Sequence, residues 1–382
     1  MKKFTKFFAL MLAMTMTCAA FAGCGNSTDT ANNSIPQSPD TTPVEYSEDA
    51  TTVGFIYIGS KNDGGYSQAQ HNGTMAVQSY FGEDVKVLVA ESVPEEKQTV
   101  KSTALTMIDQ GASIIVGTSF GFMDALEEMA EDYPDVTFLH FSGNKMNDTN
   151  FGNYFGAMEE PRYLSGMIAG MMTETNQLGY VAAFPYTEVH IGINAFTLGA
   201  QSVNPDVEVK VVYVNSWNDP ANEKAAAEAL LAQGCDIITQ HADSAGPQLA
   251  AEAAGKLAIG YNLDNSEVAP GAFLTAPVWY HETYLIPTIE SIINGTYTPE
   301  SYYGTTQDGY LGLAPMTELV PAEVQEAVAE VAAQMEAGEY PVFVGPISGA
   351  DGSVLVANGE TLDRAGIWTV MESLVAGVSA TN

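Results

Sequence analysis

The sequence predicts an α/β protein made of two lobes, each a doubly wound parallel sheet with helices on its faces. The prediction rests on a strict alternation of short apolar segments with stretches that carry apolar residues at helical spacing, in two successive series. About 330 residues follow residue 50, which is enough chain for two packed domains.

The first series is predicted to form the first lobe from residues 51–155, together with a later segment at about 276–310 that returns to this lobe. Its predicted strands are 53–58, 86–90, 113–118 and 136–141. Its predicted helices are 95–110 and 121–132. Gly111 and Pro134 mark the ends of these helices, as residues that favour turns over regular structure.

The second series predicts a second lobe from residues 156–275. Its strands are expected at 178–183, 207–214, 236–240 and 257–261. Its helices are expected at 162–173, 191–202, 220–233 and 247–254. Residues 311–382 are expected to cross back over the lobes. Further elements are predicted as helices at 279–294, 321–337 and 366–376 and as a strand with a hairpin at 342–352.

The first 50 residues are typical of an exported lipoprotein. Lys2, Lys3 and Lys6 precede a short apolar core, and the small residues before Cys24 resemble the lipobox at which bacterial lipoproteins are acylated. We therefore predict a signal peptide at 1–23, lipidation of Cys24 and a flexible polar tether at 24–50. These features predict a lipid-anchored protein on the extracytoplasmic face of the cell membrane.

Composition excludes several classes of function. The formal net charge of −34 would repel phosphate backbones, so no nucleic-acid partner is expected. Cys18 leaves with the signal and Cys24 would be acylated, which leaves Cys235 without a disulfide partner. The five histidines lack metal-ligand spacing, so neither a metal nor a cofactor is predicted.

The loops after the predicted strands carry the candidate binding residues. In parallel sheets, ligands bind beyond the carboxyl ends of the strands. Aromatic, amide and carboxylate residues recur there in both lobes, in the loops 59–67, 119–124, 142–144, 184–186, 215–219, 241–244 and 262–264. Aromatic faces suit a planar or pyranose ring, and the polar side chains suit its edge.

Several long, collinear motifs from residue 53 onward resemble one family. They lie at 53–57, 63–66, 118–124, 162–166, 179–185, 192–199, 214–217, 240–243 and 258–261. The chain resembles the basic membrane protein family of substrate-binding lipoproteins, which serve ATP-binding cassette (ABC) importers and include a purine nucleoside receptor. The resemblance implies a type I periplasmic-binding fold, with two lobes joined by a three-segment hinge. It also implies a purine ligand and a membrane permease as partner. The protein is expected to be a monomer.

The resemblance implies that Tyr66 and either Phe184 or Trp217 stack on the purine, with Asp63 or Asn62 at its edge. Nucleoside-binding members have an Asp-x-Asp pattern where this chain has Asn262 and Asp264, and a lysine where it has Trp279. The candidate ligand-binding residues are Asn62, Asp63, Tyr66, Ser119, Phe120, Phe184, Trp217, Asp243, Tyr261, Asn262, Asp264 and Trp279.

Both departures from the family pattern remove charge from the expected ribose subsite, and Trp279 is expected to fill part of its volume. They favour a free base such as adenine, while Asn262, Asp264 and His281 could still hold a nucleoside. The same cleft could bind a sugar or another small ring, or serve a ligand-sensing lipoprotein. An enzyme is disfavoured because the sequence has no hydrolase elbow, zinc-protease or phosphate-loop motif.

Overall fold

The structure is a computed structural model that describes residues 45–381. The predicted signal peptide, Cys24 and residues 24–44 of the predicted tether lie outside the described residues. None of the helices within residues 45–381 has the length and apolar character needed to span a bilayer.

The first lobe is built on a six-stranded parallel sheet in the order β11-β5-β4-β3-β1-β2. Its strands are β1 Thr51–Ile56, β2 Val85–Ala90, β3 Ala112–Gly117, β4 Thr137–Phe141, β5 Phe151–Gly156 and β11 Ser301–Gly304. Its helices are α1 Tyr66–Phe81, α2 Lys97–Asp109, α3 Met123–Asp132 and α8 Glu282–Ile293. The central strands are buried along nearly their whole length, as expected for a parallel sheet covered by helices on both faces.

The second lobe is built on a five-stranded parallel sheet in the order β15-β7-β6-β8-β9. Its strands are β6 Gln177–Ala182, β7 Glu208–Tyr213, β8 Ile237–His241, β9 Leu257–Ala258 and β15 Val378–Thr381. Its helices are α4 Glu159–Met172, α5 Thr187–Val203, α6 Pro220–Ala232, α7 Gly246–Ala253, α9 Ala322–Glu336 and α10 Arg364–Val370. The predicted α/β architecture with two parallel sheets is thus confirmed.

Three chain segments pass between the lobes. The first follows β5 and enters α4, and the other two form an antiparallel pair of strands, β10 Pro277–Trp279 and β12 Leu311–Leu313. Beyond β12 the chain stays with the second lobe, where β15 pairs with β7. A small hairpin of β13 Ile347–Ser348 and β14 Val354–Val356 precedes α10.

Helices α4 and α5 pack with unusually close backbones in the second lobe. A methyl group on Gly166 of α4 would overlap the carbonyl oxygen of Phe196, and one on Gly199 of α5 would overlap the carbonyl oxygen of Tyr163. The two glycines therefore allow each helix to lie against the backbone of the other. This contact fixes α5, whose first turn faces the cleft between the lobes.

Several predicted elements differ from the structure. Helix α1 and strand β5 were not predicted, because the buried face of α1 is largely polar and β5 includes two glycines. The strand predicted at 257–261 ends at Ala258, since the chain then turns towards the linking strands through a bridge between Asn262 and Val278.

Three predictions near the C-terminus also need correction. The helix predicted at 279–294 begins only at Glu282, because the preceding residues form β10. The strand predicted at 342–347 is limited to Ile347–Ser348. The last helix is shifted to Arg364–Val370, where the Asp363 side chain caps it by accepting a hydrogen bond from the Gly366 amide.

Replacing Gly166 with alanine should destabilise the second lobe. The added methyl would force α4 and α5 apart, and such overpacking costs about 1–3 kcal/mol. Urea denaturation should show a lower midpoint for Gly166→Ala. Gly312→Ala is the matched control, because a methyl there meets only Tyr280, at 3.6 Å. Equal midpoints for the two variants would contradict the packing argument.

Candidate ligand-binding cleft

A cavity of about 480 Å³ of space between atoms, part of it open to solvent, lies between the carboxyl edges of the two sheets. Both lobes contribute to its walls. From the first lobe they include Ile58, Tyr66, Glu95, Ser119, Phe120, Phe141 and Ser142. From the second lobe they include Glu188, Trp217, His241, Asp243 and Tyr261. Six of the twelve sequence-predicted residues are therefore brought together, namely Tyr66, Ser119, Phe120, Trp217, Asp243 and Tyr261.

The loop before α1 places Tyr66 in the cavity wall. The carboxylate of Asp63 accepts hydrogen bonds from the amides of Gly65, Ser67 and Gln68 at 2.8–3.0 Å, which satisfies the first turn of the helix. The Asp63 carboxylate is therefore occupied by backbone amides. Neither Asp63 nor the exposed Asn62 lines the cavity.

The Tyr66 ring is held in place by two contacts. Its hydroxyl donates a hydrogen bond to the carbonyl oxygen of Thr118, and its ring lies 6.0 Å from that of Phe141. Since Phe141 ends strand β4, the orientation of Tyr66 is fixed by the sheet edge itself.

A second part of the first-lobe wall follows β3. The Ser119 hydroxyl donates to the Glu95 carboxylate at 2.6 Å, and the Gly121 amide donates to the same oxygen at 2.9 Å. The Phe120 side chain is left 58% exposed at the edge of the cavity. Glu95 was not predicted as a site residue.

Three aromatic rings pack together on the side of the second lobe that faces the cavity. The rings of Phe184 and Tyr186 stack at 5.1 Å, and Trp217 meets Phe184 edge-on at 5.3 Å. Only Trp217 lines the cavity, so Phe184 supports that wall from behind.

Tyr261 forms another part of the second-lobe wall, and the guanidinium of Arg162 lies 3.8 Å from its ring centre. Arg162 is fully buried, and its Nη1 donates to the carbonyl oxygen of Gln240 at 2.7 Å. A buried guanidinium over a tyrosine face is a favourable cation–π pair. It places one positive charge directly behind the wall of the cavity.

The cavity also carries the carboxylates of Glu188 and Asp243. Glu188 Oε1 lies 3.8 Å from Nε2 of His241, and burial lowers the pKa of His241, which favours the neutral imidazole. Burial raises the pKa of Asp243 well above its ordinary value, and the neighbouring carboxylates of Asp63, Glu223 and Glu188 raise it further. Both carboxylates can bind ligand groups that donate hydrogen bonds.

The remaining predicted residues lie outside the cavity wall. Asn262 and Trp279 are buried behind it, and Trp279 packs against Phe141 at 5.2 Å between ring centres. This position corrects the expectation that Trp279 fills the volume of a ribose. Asp264 is exposed and accepts a hydrogen bond from the Ser266 amide, while His281 stacks on Trp279.

Glu188 is the main site residue that sequence reasoning missed. It lies in the first turn of α5, directly after the strand-end loop 184–186, so its place after β6 was the available signal. Its carboxylate borders both the cavity and a wider groove that continues towards α10 and includes Asn144, Arg364 and Trp368. No group of three or more metal-ligating side chains is found within residues 45–381.

The lobes touch directly at one edge of the cavity. Nδ2 of Asn265 donates to the carbonyl oxygen of Gly64 at 3.2 Å. Beside this bond, Gly65 lies so close to Asp243 that a methyl group would overlap the Asp243 carbonyl oxygen. The structure is therefore a closed form, and its closure depends on the absence of a side chain at residue 65.

Comparison with known proteins agrees with this architecture. The sequence model of a family described as ABC transporter substrate-binding protein PnrA-like matches residues 50–338. The chain belongs to this family. A purine-binding protein of Brucella abortus is 37% identical over 333 residues, which cover 87% of this chain and 94% of that protein. A putative ABC transporter glucose-binding protein of Haloferax volcanii is 36% identical, over 78% and 75% of the two chains.

A solved structure shows the same fold. A solute-binding protein of an ABC transporter system from Aeropyrum pernix superposes with a TM-score of 0.67 at 17% identity, covering 84% of this chain and 99% of that one. As a PnrA-like substrate-binding protein, the chain has an extracytoplasmic role with a small-molecule ligand and a membrane permease as its partners. The cleft is bounded by both lobes and can hold such a ligand.

Adding a side chain at Gly65 should keep the lobes apart. Gly65→Ala is expected to fold normally but to have a larger radius of gyration than the wild type in small-angle X-ray scattering, because the methyl group overlaps the Asp243 carbonyl. Asn265→Ala, which removes one interlobe hydrogen bond without adding bulk, should give a smaller increase. A Gly65→Ala radius equal to that of the wild type would refute the contact as a condition of closure.

Proposed function

We propose that the protein captures a purine, as a free base or a nucleoside, in the cleft and presents it to its permease. The observation that carries this proposal is the composition of the cavity. Aromatic rings enter it from both lobes, Tyr66 from one and Trp217 and Tyr261 from the other, and carboxylates lie between them. A flat ring with hydrogen-bond donors on its edge matches this arrangement.

The polar groups favour a ligand that donates hydrogen bonds. Glu95, Glu188 and Asp243 line the cavity, and no lysine or arginine is among the described residues of its wall. Carboxyl oxygens accept hydrogen bonds, so they suit the N–H groups of a purine and the hydroxyls of a ribose. The groove towards α10 offers space for a sugar attached to the base.

Similarity to the purine-binding protein of Brucella abortus supports the same ligand class, because it covers nearly the whole of both chains. The Haloferax volcanii relative favours a second candidate, a sugar. Aromatic faces and carboxylates also suit a pyranose ring, so the cavity alone does not separate the two.

Ligand binding is proposed to act through closure of the lobes. A ligand that touches Tyr66 and Trp217 together gains its full set of contacts only in the closed form, and this difference favours closure. The closed form would then dock on the permease as a monomer. We further propose that lipidation at Cys24 holds the protein at the extracytoplasmic face of the membrane, as the N-terminal sequence predicts.

Calorimetric titration of protein stripped of bound ligand by dialysis from denaturant tests this function. Adenine, adenosine, guanosine and inosine should be titrated beside glucose and a panel of pentoses. Tight binding of one or more purines supports the proposal. Binding of a sugar with no response to purines would replace it with the second candidate.

Replacing Tyr66 with alanine should weaken purine binding by about 1–3 kcal/mol, the usual value of an aromatic platform under a base. Calorimetry measures the change. Tyr80→Ala is the matched control, because Tyr80 lies on the same helix but is 59% exposed and outside the cavity wall. Unchanged affinity in a folded Tyr66→Ala protein would remove Tyr66 from the site.

A nucleoside monophosphate should bind far more weakly than the corresponding nucleoside. Placing a phosphate beside Glu188 and Asp243 juxtaposes like charges, which costs several kcal/mol, so we expect roughly a 100-fold difference between adenosine and adenosine monophosphate. Glu188→Gln should reduce the difference in affinity between adenosine and adenosine monophosphate, measured in the same titrations. Equal affinities in the wild type would instead indicate that the phosphate reaches Arg364 in the groove.

A further inference from the structure

A chain of hydrogen bonds runs from the hinge of the protein to the cleft. Nε1 of Trp279 donates to Oδ1 of Asn262 at 3.2 Å, and Nδ2 of Asn262 donates to Oδ1 of Asp243 at 3.4 Å. All three side chains are at least nine-tenths buried. Only Asp243 reaches the cavity wall. Trp279 therefore contacts the site through an intermediate, without touching the ligand space.

The indole of Trp279 sets the direction of these hydrogen bonds. An indole N–H can only donate, so the oxygen of the Asn262 amide must point towards Trp279. The NH₂ group of the amide is then turned towards Asp243. Since an N–H needs an acceptor, Oδ1 of Asp243 is held as an acceptor, and the second oxygen, Oδ2, remains for the ligand.

The backbone and the packing hold both ends of this chain in place. Asn262 has a left-handed φ of 69°, and its amide donates to the carbonyl oxygen of Pro277 at 3.0 Å. Trp279 is stacked against His281, with ring centres 5.8 Å apart, and packs edge-on against Phe141. Neither side chain can turn away without disturbing the linking strands.

We propose that Trp279 is a positioning residue for ligand binding, which acts through Asn262 to hold the Asp243 carboxylate ready to accept a hydrogen bond from the ligand. The consequence of this arrangement is that the site selects ligands with N–H or O–H groups. For that consequence the inference rests on the proposed function.

The hydrogen bond from Asn262 counteracts the effect of the surrounding groups on the pKa of Asp243. The titratable groups that face Asp243 are Asp63, Tyr66, Glu188, Glu223 and Tyr261. Burial and the three carboxylates raise the pKa of Asp243, and the hydrogen bond from Asn262 lowers it. Losing the donor should therefore raise this pKa further, so that the carboxylate is protonated at a higher pH.

The test compares Trp279→Phe with the wild type, since phenylalanine keeps an aromatic ring and removes only the N–H donor and part of the volume. Calorimetry with adenine and with glucose should be repeated across a pH series. For the ligand that binds, we expect about three- to tenfold weaker affinity near neutral pH, the usual effect of one lost hydrogen bond. The pH at which affinity falls by half should also move upward.

Tyr310→Phe is the matched control, because Tyr310 packs edge-on against Trp279 and, among residues 45–381, its hydroxyl bonds to His281 alone. It should leave the midpoint of the pH profile unchanged. Asn262→Asp keeps an acceptor for Trp279 but replaces the donor to Asp243 with a second carboxyl group, so loss of the donor and like-charge repulsion together should shift the midpoint further than Trp279→Phe. A loss of affinity in Trp279→Phe that is equal at every pH would show a purely structural role and overturn the proposal.

A measurement on the ligand-free protein separates the role of Trp279 from the proposed function. Carbon-13 NMR of the side-chain carboxyl carbon, assigned by its loss in Asp243→Asn, gives the pKa of Asp243 in the free protein. A higher pKa in Trp279→Phe supports the inference even if no purine base or nucleoside binds, an outcome that would overturn the proposed function alone. Identical titration curves for Trp279→Phe and the wild type would refute the inference even where a purine binds tightly.

Discussion

The parallel alignment of the strands in both sheets is the constraint on which the cleft depends. Because every strand of a sheet points the same way, all of its carboxyl ends lie along one edge, and the loops that follow them converge there. The three segments between the lobes bring the two edges face to face. Residues far apart in the chain, such as Tyr66 and Tyr261, thereby line one cavity.

Concentrating acidic groups in this cavity has an electrostatic cost that the fold offsets locally. Burial disfavours ionised carboxylates, and the raised pKa of Asp243 reflects that cost. The Arg162 guanidinium behind Tyr261 and the amide of Asn262 both favour negative charge nearby. A ligand that donates hydrogen bonds would complete this compensation.

The sequence predicted the fold class and about half of the cavity wall, because strand ends are visible as boundaries between apolar runs and polar loops. Tyr66, Trp217 and Asp243 were found in this way. Glu188 was missed because an acidic residue in the first turn of a helix usually needs no further explanation. The role of Asp63 as a cap and the place of Trp279 behind the wall depend on side-chain directions, which spacing along the chain does not encode.

The hydrogen bond between Asn265 and Gly64 has a further consequence for transport. It joins the lobes without using any atom of a ligand, so it would favour the closed form whether or not a ligand is bound. A closed but unloaded copy would present the permease with nearly the same surface as a loaded one. Contacts of this kind, which need no ligand, would therefore raise the share of closed but unloaded copies that the permease meets.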